Sequence, residues 1–232
     1  MRHPEPSRLI KLLTRLRDSR LLWDLMGSIY NRHIYDAITE LYDHIASLPE
    51  MRGQTRMLDV GAGRGYLSVL LAFRNPDAQV TGIDYSHRQV RDAENYRVQG
   101  KILNCSFLQA NAMALPFADE TFNAAASVGS IKHWPDGLRG LAEIRRVLKP
   151  GGHLLVSETD QEASDDALRR FINRFRIWYI PDRLLYWGLR QVIFGQSYSE
   201  AALARSVAEA GFRDIECRRV PACPYVIVKA RK

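Results

Sequence analysis

Cysteine is scarce in this chain: Cys105, Cys217 and Cys223 are the whole supply. An odd number this small argues against a disulfide framework, and Cys217 and Cys223 stand too far apart for a C-x-x-C site. A reduced, cytoplasmic setting is the expectation. Long apolar runs are missing as well. The longest uncharged stretch, Ile102 to Ala118, contains Asn104, Ser106, Gln109 and Asn111, which excludes a membrane-spanning helix. No positively charged segment leads into an apolar core near residue 1, so no secretory leader is expected. The six histidines show no metal-ligand spacing and no H-E-x-x-H, and no metal is expected. No G-x-S-x-G elbow appears. Lys132 follows no phosphate-binding Walker turn. Low-complexity segments and internal repeats are also absent.

What is present is ordinary in bulk. The 232 residues are 46% apolar and 25% charged, enough for one domain with an elaboration. The net charge of +7 is concentrated at the ends. Residues 1–33 hold seven basic side chains against three acidic ones, and residues 213–232 hold six against two. Such ends can draw nucleic acid or an anionic membrane surface. Scattered arginines on solvated faces are the commoner reason for such a balance.

Periodicity divides the chain. Leu9, Leu12, Leu13 and Leu16 fall at helical spacing beside basic residues, which predicts a basic amphipathic helix near residues 7–25. A second helix is expected over Ile34–Leu48, ending near Pro49. Beyond it strands and helices alternate. Strands are expected at Arg56–Val60, Gln79–Ile83, Cys105–Gln109, Phe122–Val128 and His153–Ser157. Helices are expected at Gly65–Phe73, Ser86–Val98 and Gly137–Leu148. This rhythm predicts an α/β fold with a parallel sheet covered on both faces. It breaks between residues 159 and 198, where Ser164–Phe175 and Asp182–Phe194 read as helices rich in arginine and aromatic residues. A helix over Ser199–Ala210 and two strands, around Asp214–Arg218 and Tyr225–Lys229, close the chain. The expected division is a helical cap at residues 1–52 and an α/β domain at residues 53–232 carrying a lid insertion at residues 159–198.

The stretch Asp59-Val-Gly-Ala-Gly-Arg-Gly65 joins the first strand to its helix. Glycines there let a ligand approach backbone N–H groups. Counted from Gly61, the sixth position is Tyr66, where a dinucleotide fingerprint requires Gly or Ala for close helix packing. Asp59 would repel a pyrophosphate and suits a ligand with positive charge. The motif resembles the first motif of class I S-adenosylmethionine-dependent methyltransferases, and the resemblance runs from about residue 30 to the end. Within that family it is most similar to the small-molecule branch of ubiquinone and menaquinone methyltransferases, with a methyltransferase type 11 domain. It implies a Rossmann-like seven-stranded sheet, mostly parallel with the last strand antiparallel, and S-adenosyl-L-methionine as cofactor.

The resemblance also assigns site residues. Asp59, Gly61, Ala62, Gly63 and Gly65 would face the methionine part. Asp84, at the end of Gly82-Ile83-Asp84, would accept two ribose hydroxyls, or alternatively cap the next helix; Tyr85 would lie by the adenine. In Asn111-Ala112, ahead of Leu115-Pro116-Phe117, family members commonly carry aspartate; the Asn111 amide oxygen can still accept the adenine amino group. Ser127 would be a backbone contact. His133, at a sheet's carboxyl edge, is the candidate general base, or else a helix cap. Tyr35 is expected at the cofactor's methionine end. Tyr30, Trp178, Tyr179 and Tyr186 are candidates for an apolar acceptor cavity.

The function expected is methyl transfer to a small lipophilic or aromatic acceptor, with peripheral membrane contact compatible with the basic helix. Two other readings stand beside it. One is an RNA methyltransferase that uses the basic ends, although no appended RNA-binding module is recognisable. The other is a non-catalytic protein that binds the cofactor.

Overall fold

The computed structural model describes residues 7, 9–10, 12, 38–175, 181–195, 197–220 and 223–232. Seven strands form one sheet in the order β3-β2-β1-β4-β5-β7-β6. They are β1 (Arg56–Val60), β2 (Gln79–Asp84), β3 (Cys105–Gln109), β4 (Phe122–Val128), β5 (Leu148–Thr159), β6 (Arg213–Arg219) and β7 (Tyr225–Arg231). The first five pair in parallel, whereas β7 is antiparallel to both β5 and β6. This is the Rossmann-like sheet expected, with its last strand reversed.

Helix α1 covers residues 38–47 and is followed by a tight turn at Pro49–Met51. The helices α2 (Tyr66–Arg74), α3 (His87–Gln99) and α4 (Gly137–Val147) connect the parallel strands. Alternation along β1 sorts the core into two halves. Met57 joins Ile38, Leu41 and Ile45 of α1 and Leu67 and Leu71 of α2 on one face. Leu58 and Val60 join Leu141 and Ile144 of α4 on the other. Leu203 and Val207 of α7 (Glu200–Glu209) belong to that second half. The first half also takes Phe171 of α5 (Asp165–Phe175) and Leu185 of α6 (Asp182–Gly188). The basic amphipathic helix expected near residues 7–25 lies largely outside the described residues.

Two elements differ from their expected form. Strand β5 begins at Leu148, because Leu148 already pairs with Phe122 before the chain makes an excursion around Gly151, at φ +73°. It then rejoins β4 at His153. The helix expected over Asp182–Phe194 is α-helical only to Gly188. It continues in wider π-helical turns over Leu189–Phe194, where the Gly195 N–H reaches Arg190 O at 2.9 Å.

Candidate active site

The strand order reverses between β1 and β4, so their following segments part and leave a crevice at the carboxyl ends. A cavity of about 360 Å³ opens there. Its floor is the turn from β1 into α2. Gly61, Gly63 and Gly65 all have positive φ, which few other residues adopt without strain. At Gly65 the need is also steric, since a Cβ would overlap the Phe107 ring. At Gly63 nothing lies within 4 Å of where a Cβ would be, so the backbone there faces open space.

Asp84 organises this turn. Its Oδ2 accepts the Gly63 N–H at 2.9 Å, and its Oδ1 accepts the Ser86 N–H at 2.9 Å. Helix α3 is capped by Ser86 instead, whose Oγ accepts the Gln89 N–H at 3.3 Å. Asp59 sits beneath the turn with only 1% of its surface exposed. The Ser68 hydroxyl donates to its Oδ2 at 2.6 Å. Burial pushes the Asp59 carboxyl up to about 7; the Ser68 hydrogen bond opposes that rise and the Asp84 carboxylate adds to it.

After β3, which pairs with β2, Asn111 and Ala112 also line the cavity. Asn111 Oδ1 accepts the Met113 N–H at 3.0 Å, which holds the loop after β3 in a bend. The third wall is the segment after β4: Gly129, Ser130, Lys132, His133, Trp134 and Pro135. The Trp134 indole N–H donates to Ser130 Oγ at 3.0 Å. Lys132 Nζ bonds Glu158 Oε2 at 2.8 Å and Gly129 O at 3.0 Å. The side chains of Lys132 and Glu158 are 4% and 0% exposed.

Of the candidate residues, Gly61, Ala62, Gly63, Asp84, Tyr85, Asn111, Ala112 and His133 meet in this one cavity. Asp59, Gly65 and Ser127 do not line it. Ser127 is fully buried, and its hydroxyl donates to Val60 O at 2.9 Å, tying β4 to β1. Tyr186 lies elsewhere: its hydroxyl donates to Asp165 Oδ1 at 2.7 Å, and the Arg169 guanidinium stands 5.0 Å above its ring. Tyr30, Tyr35, Trp178 and Tyr179 lie outside the described residues. Sequence reasoning missed Ile38, Tyr42 and Tyr225, which also line the cavity, and gave Lys132 and Trp134, beside His133, no role of their own. Lys132 escapes such reasoning because its partner Glu158 is brought beside it only by the β4–β5 pairing.

Thiol chemistry finds no support here. Burial pushes Cys105 and Cys223 up to about 12 and Cys217 up to about 11. Among the described residues no group of three or more His, Cys, Asp or Glu could hold a metal ion. No helix among them is long and apolar enough to cross a membrane.

Comparison with known proteins names this arrangement. The family model described as a methyltransferase domain matches residues 58–156. The chain is 38% identical over 138 residues to an O-methyltransferase of Aspergillus nomiae, covering 58% of this chain and 60% of that one. It is 37% identical over 103 residues to a demethylmenaquinone methyltransferase of Thermus thermophilus, covering 44% and 46%. The chain thus spans 60% or less of these relatives' lengths. Among solved structures, a SAM-dependent methyltransferase of Thermotoga maritima superposes with a TM-score of 0.65 at 20% identity, covering 92% of this chain and 100% of that one. The cyclase SpnF superposes at 0.64 with 25% identity, covering 83% and 80%. The chain therefore carries the S-adenosylmethionine-dependent methyltransferase fold, and S-adenosylmethionine is the cofactor that family and fold imply.

The residues present fit that cofactor. Its methionine end carries an ammonium and a sulfonium and no phosphate, which suits a turn backed by Asp59 and Asp84. Arg64, the basic side chain within the turn, is directed to Asp92 at 3.8 Å. The backbone at Gly63 is open to close approach, and Asn111 lines the same cavity with an amide able to meet an adenine edge.

Proposed function

We propose that this protein transfers a methyl group from S-adenosylmethionine to a small, lipophilic or aromatic acceptor. One observation carries the reading. A single cavity joins a glycine turn and Asp84 on one side to a wall of Lys132, His133, Trp134 and Tyr225 on the other. The first half suits the cofactor and the second suits an acceptor. The names of the relatives, an O-methyltransferase and a demethylmenaquinone methyltransferase, point the same way.

When bound, S-adenosylmethionine would supply a methyl carbon activated by its sulfonium. The chain's own residues then do three things. The turn at Gly61–Gly65 and Asp84 orient the nucleoside. Asn111 reads the adenine edge. The wall after β4 aligns the acceptor with the methyl carbon, and such alignment supplies roughly 7–11 kcal/mol of barrier lowering. His133, at the acceptor wall, is placed to receive a proton from acceptors that need to lose one. Residues 7–48 and 159–198 would cover the pocket from outside, with Tyr30, Tyr35, Trp178 and Tyr179 among them; Tyr186 would serve that lid by bracing α6 on α5.

The test incubates the purified protein with methyl-labelled cofactor and small-molecule extracts, then identifies labelled products by mass. A labelled small metabolite supports the reading. Label appearing only in RNA would favour the alternative that uses the basic ends. Cofactor binding without any labelled product from broad acceptor panels would favour a binding protein.

A further inference from the structure

Lys132 lines the cavity, and its partner Glu158 is fully buried behind it. Burying both charges costs several kcal/mol of desolvation per ion, and a hydrophobic pair of the same volume is often as stable or more so. A pair retained in a ligand cavity is therefore a candidate for function. The geometry narrows what that function is. An ammonium has three donors. Glu158 Oε2 takes one at 2.8 Å and Gly129 O takes a second at 3.0 Å. The third has no partner among the described residues, and Lys132 lines the cavity. Glu158 is itself anchored, since its Oε1 accepts the Lys132 backbone N–H at 3.4 Å. The ammonium is thus fixed from two sides and cannot swing away from the wall.

We propose that Lys132 is the acceptor-positioning residue, and that it selects an acceptor carrying an ionisable oxygen, a phenol or enol bound as its anion. This rests on the methyltransferase reading above. The remaining donor of Lys132 points the oxyanion, and the ammonium stabilises its charge. The step balances without a base. The acceptor's proton has already gone to solvent, an oxygen lone pair forms the new carbon–oxygen bond, and the methyl–sulfur bond breaks with its electrons remaining on sulfur. An amine acceptor would instead set its own cation or its N–H donors against the ammonium. Other charged or titratable groups line the same cavity: Arg64, Asp84, His133 and the phenols of Tyr42, Tyr66, Tyr85 and Tyr225. Glu158 lies buried behind Lys132, with Tyr198 near it. Among these Lys132 is the positive group held by two partners at the acceptor wall.

The test uses 4-nitrophenol, whose anion has its own absorption band, with full-length protein saturated with S-adenosylhomocysteine so that nothing turns over. The band is followed against pH for the wild type and for the charge-neutral double variant Lys132→Met/Glu158→Gln, which leaves no unpaired buried ion. Bound to the wild type, the phenol is expected to ionise at least about one pH unit lower than when free, a roughly tenfold shift in its ionisation constant. In the double variant that shift disappears while the affinity for S-adenosylhomocysteine stays within about twofold; Lys132→Arg restores part of it. An equal shift in wild type and double variant would overturn the assignment. So would a protein that binds S-adenosylhomocysteine but none of a series of phenols. Failure to bind either S-adenosylmethionine or S-adenosylhomocysteine would instead overturn the methyltransferase reading itself.

Discussion

The Gly63 N–H donates to Asp84 Oδ2 at 2.9 Å, so the carboxylate that ends β2 fixes the turn that ends β1. Asp84 is therefore a structural tie as well as the residue expected to meet a ribose. Oδ1 accepts the Ser86 N–H at 2.9 Å, so both carboxylate oxygens already hold backbone amides.

Replacing Asp84 by Ala should therefore act twice. Loss of hydrogen bonds to a charged acceptor, each worth roughly 1.5–3 kcal/mol, should weaken cofactor binding about 10- to 150-fold. The freed Gly63 and Ser86 amides should also lower the melting temperature of the cofactor-free protein. Calorimetry and a thermal melt on one sample read both. An unchanged dissociation constant in a folded variant would leave Asp84 with its structural role alone.

Asp59 gives a pH prediction. Its folded-state value of about 7 lies above the ordinary 3.8, with burial as the largest cause. The unfolded chain therefore releases that proton more readily, and Asp59 costs stability increasingly as pH rises from about 3.8 to about 7. At about 1.4 kcal/mol per unit the ceiling of that cost is ~4 kcal/mol. An asparagine in place of the acid keeps an acceptor for the Ser68 hydroxyl and carries no charge at any pH. Asp59→Asn should accordingly stabilise the cofactor-free protein at pH 8 and leave it nearly unchanged at pH 4, read by denaturant unfolding at both values. Equal effects at both would contradict the raised value.

The Asn111 side chain holds its own loop through Met113 N–H, an acceptor role that a carboxylate fills equally well. Asn111→Asp should fold normally and bind S-adenosylmethionine within about threefold of wild type or more tightly, because the added charge strengthens the bond to an adenine amino group. A folded variant that no longer binds would put the adenine somewhere else.

Cys105, Cys217 and Cys223 should resist alkylation in the folded protein. With their thiols pushed up by burial to about 12, 11 and 12, the thiolate fraction at pH 8 falls about tenfold per unit of rise. Mass spectrometry after timed iodoacetamide treatment, with and without urea, should show modification almost only in urea. Rapid labelling of the folded chain would contradict it.

Much of this fold is legible in the sequence because its signals are local. β1, β3 and β4 have the bounds that their apolar runs suggest, and Ser86 caps α3 as its position before the helix implies. The glycine turn is equally readable, since positive φ and close approach select glycine at each place. The rest depends on pairings between distant residues. Nothing in Ile131-Lys132-His133 announces that Lys132 meets Glu158, because that contact exists only once β4 and β5 lie side by side. Tyr186 illustrates the opposite error. An aromatic residue in an arginine-rich helix suggests an acceptor cavity, yet its contacts are Asp165 and Arg169. The expected β5 is too short because Pro150-Gly151-Gly152 looks like a terminator, whereas here it is an excursion within the strand.

The most direct measurement is calorimetric titration of the purified protein with S-adenosylmethionine, and separately with NAD. The cavity built from Gly61–Gly63, Asp84 and Asn111 predicts one molecule of S-adenosylmethionine bound per chain, with NAD weaker or undetected because Tyr66 stands where a dinucleotide turn requires Gly or Ala. NAD binding more tightly than S-adenosylmethionine, or no heat with S-adenosylmethionine at all, would contradict the account.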